Sequence, residues 1–185
     1  MADFRKHLAI GQDLGSVLVR GLRESTFLVY LAISLLLLIS LLSFDLEDAG
    51  WSHGGSRAAI HNAAGTAGAW LADFFLSLFG ITSFLLPFLL AGYGYVIFQQ
   101  ARDERTAWLD TVLQWLGFGL AVTAATGIAD RFMIRPRMVL PEGYGGILGR
   151  EVSERCFQAF GTTGMTILLV TLLLAGVSLF TGLSW

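Results

Sequence analysis

The fold is decided by the stretch Ile60-His61-Asn62-Ala63-Ala64-Gly65-Thr66-Ala67-Gly68-Ala69-Trp70-Leu71-Ala72-Asp73, which runs directly into a long apolar segment. Its small residues recur four apart, as Ala64 and Gly68, Gly65 and Ala69, and Gly68 and Ala72. On a helix this spacing makes a flat strip that lets another backbone approach closely. The strip therefore packs either under neighbouring parts of its own chain or against a partner, and the sequence leaves both alternatives open.

The segment that follows, residues 74–101, carries no charged residue over 28 positions. A helix of that length is roughly 42 Å long, whereas the hydrocarbon core of a bilayer is about 30 Å thick. Three further stretches are also charge-free. The sequence therefore predicts an all-α polytopic membrane protein with four transmembrane helices. We place them at about 25–44, 74–99, 111–129 and 157–183.

These spans divide the chain into an N-terminal segment, 1–24, and a four-helix transmembrane domain, 25–185. Segment 1–24 allows either a helix on the membrane surface or a partly ordered tail. Residues 45–73 and 130–155 form two external loops. The composition becomes helical from Ala58, which predicts that the second helix, or a short helix bent into it, begins well outside the bilayer core.

Polar and helix-breaking residues inside the spans have structural explanations. Pro87 removes a backbone donor from the second span, and this predicts a helix kink there. Ser34, Ser40 and Ser43 interrupt the first span, and each hydroxyl can bond back to its own helix. The sequence therefore does not assign these residues a chemical role.

The composition excludes several classes of protein. Hydrophobic residues make up 55% of the chain and charged residues 14%, against about 25% charged residues in soluble domains. The net charge of −2 argues against nucleic-acid binding by this chain. The single cysteine, Cys156, excludes an intramolecular disulfide, and the three histidines have no metal-ligand spacing.

Catalytic and transport signatures are also missing from the sequence. No Walker A motif is present, and we expect no cofactor and no catalytic residue. None of the predicted spans contains an ionisable residue, which argues against a proton or ion path. Anchoring or assembly is the better interpretation.

Charge gives only a partial indication of orientation. Four basic residues precede the first span and only Arg57 follows it in the first loop, which favours a cytoplasmic N-terminus. Over the whole chain the two sides carry six Lys/Arg each, because the second loop is rich in arginine. We choose both termini inside, since the first helix usually dominates.

The chain resembles the N-terminal four-span membrane domain of the bacterial FtsK/SpoIIIE DNA translocases. The most specific match is the run of His61, Asn62, Gly65, Gly68, Ala69, Trp70, Leu71, Ala72 and Asp73. Further matches are residues 41–45, Trp51-Ser52, Phe79-Gly80, 145–149 and 179–185. Residues 45–50 depart from the pattern, because they lack the prolines that the family carries at this position.

The resemblance implies a cell-division protein of the bacterial inner membrane, enriched at the septum, with both termini cytoplasmic. In that family a linker and a hexameric ATPase that pumps chromosomal DNA follow the membrane domain, which contacts divisome proteins. The fragment itself is then not an enzyme and binds no nucleic acid. Its expected partners are the bilayer, divisome membrane proteins and other copies of itself, with a hexamer for the full-length protein.

Two functions are weighed. The first is an anchoring and assembly module of a cell-division DNA translocase, and the second is a small transporter or channel subunit. For the first, the candidate partner or packing contacts are His61, Asn62, Gly65, Gly68, Trp70 and Asp73. The second requires a polar cavity around Asp73, Thr82 and Gln114.

Overall fold

The computed structural model describes residues 2–52, 54, 60–99, 107–133 and 140–182. Its helices are α1 (Ala2–Leu42), α2 (Gly65–Phe79), α3 (Leu85–Gln99), α4 (Ala107–Phe132) and α5 (Gly146–Thr181), and a 3-10 helix, Gly80–Phe84, joins α2 to α3. Four stretches are long and apolar enough to cross a membrane: Gly21–Leu42, Gly65–Tyr95, Thr111–Phe132 and Gly146–Thr181. The predicted all-helical class with four membrane-crossing helices is therefore confirmed.

The N-terminal segment is part of the first helix, because the backbone is helical without interruption from Ala2 to Leu42. The start of the second helix differs from the expectation. Residues 60–64 are a non-helical turn, and α2 begins at Gly65 instead of near Ala58. His53, Arg57 and the arginines at 135 and 137 lie outside the described residues.

Helices α1 and α3 form the first packed pair. The Ser34 hydroxyl donates a buried hydrogen bond of 2.5 Å to the Pro87 carbonyl, so this serine links two helices instead of bonding back. Ser40 and Ser43 do bond back, to the Leu36 and Ile39 carbonyls at 2.7 Å each, as predicted. These three hydroxyls are thus satisfied within the protein, as hydrocarbon requires.

Helices α4 and α5 form the second pair and approach each other through glycines. A Cβ built on Gly117 would lie 2.6 Å from the Phe180 amide nitrogen, and one on Gly176 would lie 2.5 Å from the Ala121 nitrogen. Real Cβ atoms essentially never come that close. The backbones of α4 and α5 are therefore in direct contact, as is typical of membrane helices that associate through small residues.

The second membrane-crossing stretch turns sharply at Gly80, not at Pro87. Gly80 has φ +57°, and the Ser83 hydroxyl donates to the Phe75 carbonyl at 2.6 Å. In a straight helix two residues that far apart in sequence are separated by about 12 Å. The expected kink at Pro87 is thus displaced, because Pro87 lies in the first turn of α3, where a helix tolerates a missing N–H.

Helix α5 also bends, at Gly161, where the backbone leaves the helical region with φ +65° and ψ −174°. A Cβ on Gly127 of α4 would lie 3.0 Å from the Val152 side chain and 3.2 Å from that of Leu169. Those two residues would be about 25 Å apart on a straight helix. The first limb of α5 (146–160) therefore folds back over the second limb (161–181).

The turns at Gly80 and Gly161 separate segments that are long enough to cross the membrane from segments that cover one end of the bundle. The 3-10 helix and α3 together rise about 32 Å, and the second limb of α5 rises about 31 Å. Each is long enough to cross the hydrocarbon core. Helix α2 and the first limb of α5 are then available to cover the end of the bundle where residues 43–52, 60–64 and 140–145 lie. We call that end the loop end and this covering layer the cap.

The two helix pairs are joined mainly at the loop end. Helix α2 packs on α1 and on α5, and the 3-10 helix packs on α3, α4 and α5. The Ile81 amide donates to the Tyr144 carbonyl at 2.9 Å, beside the closely packed Gly80 and Gly146. Further along, aromatic side chains bridge the pairs, with the Tyr93 and Trp115 ring centroids 5.4 Å apart. Between these two connections lies an apolar groove of about 190 Å³.

Candidate partner-contact surface

The turn before α2 is built around the carboxylate of Asp48, which is 2% exposed. It accepts hydrogen bonds from the backbone amides of His61 and Asn62, at 2.7 and 2.8 Å. The His61 ring Nδ1 lies 3.2 Å from the same carboxylate. A buried carboxylate is tolerated when several donors surround it. Asp48 thus holds the entry to α2 in one position.

Asn62 connects the end of α1 to the start of α2. Its side-chain amide donates to the carbonyls of Ser40 and Ser43, at 2.8 and 3.2 Å. Ser40 lies in the last turn of α1 and Ser43 directly follows it, and helices leave carbonyl acceptors unpaired at this end. The Asn62 oxygen accepts the Ala64 amide at 3.0 Å, and the Ser43 hydroxyl oxygen accepts the Ala63 amide at 2.9 Å.

Asp73 fastens the first loop to α2. Its side chain is 1% exposed and accepts hydrogen bonds from the Ser52 amide at 2.5 Å and the Ser52 hydroxyl at 2.9 Å. The Ser77 hydroxyl, one turn further along α2, is 3.4 Å away. Gly50 packs directly against the Asp73 side chain, with no room for a Cβ. The loop is therefore folded onto the helix.

One side of the small-residue strip is covered by the chain itself. Gly68, Ala69 and Ala72 are buried, and a Cβ on Gly68 would collide with the side chains of Asn62 and Ser40. Of the six candidate contacts, Asn62, Gly68 and Asp73 are thus used within the molecule. His61, Gly65 and Trp70 are exposed.

The opposite side of α2 is open to the surroundings. Thr66, Ala67 and Trp70 are exposed on it. The Phe74 ring stacks on Trp70 at 6.0 Å between centroids and meets the Trp51 ring edge-on at 5.4 Å. Both tryptophans remain nearly half exposed, at 46% and 47%. We call these five residues the outer face of α2.

Sequence reasoning missed Asp48 and the linking roles of Ser43 and Ser52. Asp48 contacts residues 13 and 14 positions away through a loop, and no periodic pattern connects residues in that way. The one available signal was a cluster of acidic residues, Asp45, Glu47 and Asp48, at the start of a glycine-containing loop beside an apolar span.

The described part of the chain holds no group of three metal-ligating side chains. Within it, every buried side-chain nitrogen or oxygen has a hydrogen-bond partner. The four long apolar helices define the class of protein as a multi-span membrane domain.

The family model described as the 4TM region of DNA translocase FtsK/SpoIIIE matches residues 19–185. The chain belongs to that family. It is 34% identical over 166 residues to DNA translocase FtsK of Pseudomonas syringae pv. syringae (strain B728a), covering 89% of this chain and 21% of the relative. DNA translocase FtsK 2 of Ralstonia nicotianae (strain ATCC BAA-1114 / GMI1000) is 34% identical over 178 residues, covering 93% and 23%.

The chain spans about a fifth of the length of these curated relatives. The match is to their membrane region and not to an ATPase motor. No solved structure matches the chain.

Proposed function

We propose that this domain anchors and assembles a cell-division DNA translocase. It holds a cytoplasmic motor at the division septum and contacts divisome membrane proteins or other copies of itself. The observation that carries the proposal is the family match confined to the membrane region. The buried polar side chains of the described residues also support it, because each one is hydrogen-bonded within the domain.

The transporter or channel alternative needs a polar cavity around Asp73, Thr82 and Gln114. In the described residues Asp73 is buried and bonded to Ser52, and Thr82 is buried in the 3-10 helix. The groove is lined by hydrophobic and aromatic side chains. Substrate-dependent flux in proteoliposomes would favour this alternative, and we expect none above that of empty vesicles.

The proposal requires both termini in the cytoplasm, because a motor that acts on chromosomal DNA has to follow the domain there. Fusions after Trp185 test this, with matched fluorescent-protein and alkaline-phosphatase reporters. We expect a fluorescent product without phosphatase activity. An active phosphatase fusion would place the C-terminus outside and contradict the anchoring role.

The outer face of α2 is the surface that we assign to partners. A double substitution, Thr66→Trp and Ala67→Trp, adds bulk there without entering the buried side of the helix. In full-length protein we expect loss of septal localisation, with membrane insertion and melting temperature retained.

Glu154→Trp is the matched control for that experiment. Glu154 is exposed on the first limb of α5, so one tryptophan is added to the same cap on another helix. Septal localisation should be unchanged in the control. Normal localisation of the double variant would remove the outer face of α2 as the contact surface.

A further inference from the structure

The groove between the two helix pairs is enclosed on several sides. Nine side chains line it: Leu37, Phe75, Leu86, Leu89, Leu90, Tyr93, Trp115, Phe118 and Phe180. They come from all five helices, and Phe75 of α2 closes the groove toward the loop end. From Leu86 to Tyr93 the α3 wall rises about 10 Å. The groove is therefore elongated along the bundle.

Water is a poor occupant of this groove. An apolar cavity of about 150 Å³ stays dry and binds a benzene-sized molecule. This groove has about 190 Å³, and its walls are almost entirely apolar. Its volume therefore suits several methylene groups.

A helix from a partner or a second copy does not fit. An α-helix with side chains is about 10 Å wide, which requires far more space than the groove provides. Membrane helices also associate through small residues, whereas leucines and aromatic rings line the groove. The glycines of α4 that allow close approach, such as Gly117, are already occupied by α5.

The groove is continuous with the surface that faces lipid. Trp115 lines it and is itself half exposed, and its neighbour Leu116 is exposed. On α3 the groove residues Leu86 and Leu89 alternate with exposed Leu85 and Phe88. Since the family is a membrane region, the molecules at this opening are the acyl chains of the bilayer.

We propose that the groove binds one acyl chain of a membrane phospholipid, which separates the α1–α3 pair from the α4–α5 pair. The chain enters beside Trp115 and lies against Leu89, Leu90 and Phe118. This inference does not depend on the anchoring role, because it needs only the groove and its position in the membrane.

The test uses phosphatidylethanolamine with a diazirine on one acyl chain. The protein is reconstituted with this lipid, extracted into detergent, washed free of bulk lipid and then irradiated. We expect retained lipid to label the groove residues Leu89, Leu90 and Phe118, and not exposed Leu85 or Phe88. Failure of the wild type to retain any lipid, or equal labelling of both sets, would overturn the proposal.

Variants of α3 provide the matched comparison. Leu89→Trp fills the groove and should abolish labelling, whereas Leu85→Trp makes the same change on the lipid-facing side and should retain it. Leu90→Phe is a second, smaller filling change if Leu89→Trp does not fold. If a folded groove-filling variant retained as much labelled lipid as Leu85→Trp, the acyl-chain site would be contradicted. A crosslink from the groove to another protein chain would contradict it as well.

Discussion

At the scale of single residues, the carboxylate of Asp48 determines the shape of the turn before α2. Its carboxylate is buried and accepts two backbone amides in the turn before α2. A buried amide left without its acceptor costs about 1–3 kcal/mol. The side chain therefore stabilises a turn that has no regular secondary structure of its own.

We expect Asp48→Ala to lower the free energy of unfolding by about 2 kcal/mol or more, because two amides lose their acceptor. Thermal unfolding in detergent measures the change. Glu47→Ala is the control, since Glu47 is exposed and next in the chain, and it should leave stability within about 0.5 kcal/mol. Equal melting temperatures for the two variants would show that the Asp48 carboxylate does not hold the turn.

The same residues show what a sequence can predict about this site. The spacing of Gly68 and Ala72 predicted a surface for close approach, because that property depends only on side-chain size and helical period. The sequence did not show which backbone or side chain would contact this surface. Gly68 is met by Asn62 and Ser40, and those contacts depend on a turn whose shape is set by Asp48.

At the scale of elements, α4 and α5 depend on contact between their backbones. Gly117 and Gly176 face each other with no space for a side chain. In a membrane this close packing replaces the hydrophobic effect as the source of helix association. The pair is therefore sensitive to any added volume along that line.

Gly117→Leu should separate α4 from α5 and lower stability by about 3 kcal/mol or more, because overpacking a close contact typically costs 1–3 kcal/mol even for smaller changes. Gly119→Leu is the control: Gly119 lies on the same helix, is exposed, and has no atom within 4 Å of a built Cβ. Titration with a denaturing detergent compares them. A Gly119 variant as unstable as the Gly117 variant would point to a general effect of leucine in α4.

The positions of the elements were predictable to different degrees. The membrane-crossing helices follow from charge-free runs, since hydrocarbon excludes charge regardless of tertiary structure. The turns at Gly80 and Gly161 were not predicted, because each is a glycine in an uncharged stretch, and glycine is also frequent inside straight transmembrane helices. Pro87 was visible but misleading, since its effect depends on whether it falls inside a helix or in the first turn.

At the scale of the whole molecule, Gly146 lies where the two helix pairs are joined at the loop end. Gly146 packs against the Leu78 carbonyl and the Gly80 amide, beside the hydrogen bond from Ile81 to Tyr144. Gly146 also has φ +65°, which an L-residue rarely adopts. A side chain at Gly146 would therefore change the distance between the two helix pairs without disturbing the packing inside either pair.

We expect Gly146→Val to increase the distance between spin labels on Ile33 of α1 and Leu116 of α4. The distance within the second pair, from Leu116 to Leu174, should stay within about 2 Å of wild type, since it depends on the glycine contacts of α4 and α5. All three labelled residues are exposed. Gly119→Val is the control. An unchanged distance between the pairs would show that the loop end does not set their separation.

The division into two pairs also has a consequence for biogenesis. Each pair is continuous in the chain, since α1 to α3 end at Gln99 and α4 begins at Ala107. A ribosome that delivers the protein from its N-terminus therefore completes the first hairpin, with its own buried contacts, before the second has been made. Tyr144 and Gly146, which connect the hairpins, are synthesised after most of the bilayer-embedded chain. In the last step of assembly, the α4–α5 pair then packs against an α1–α3 pair that is already inserted in the membrane.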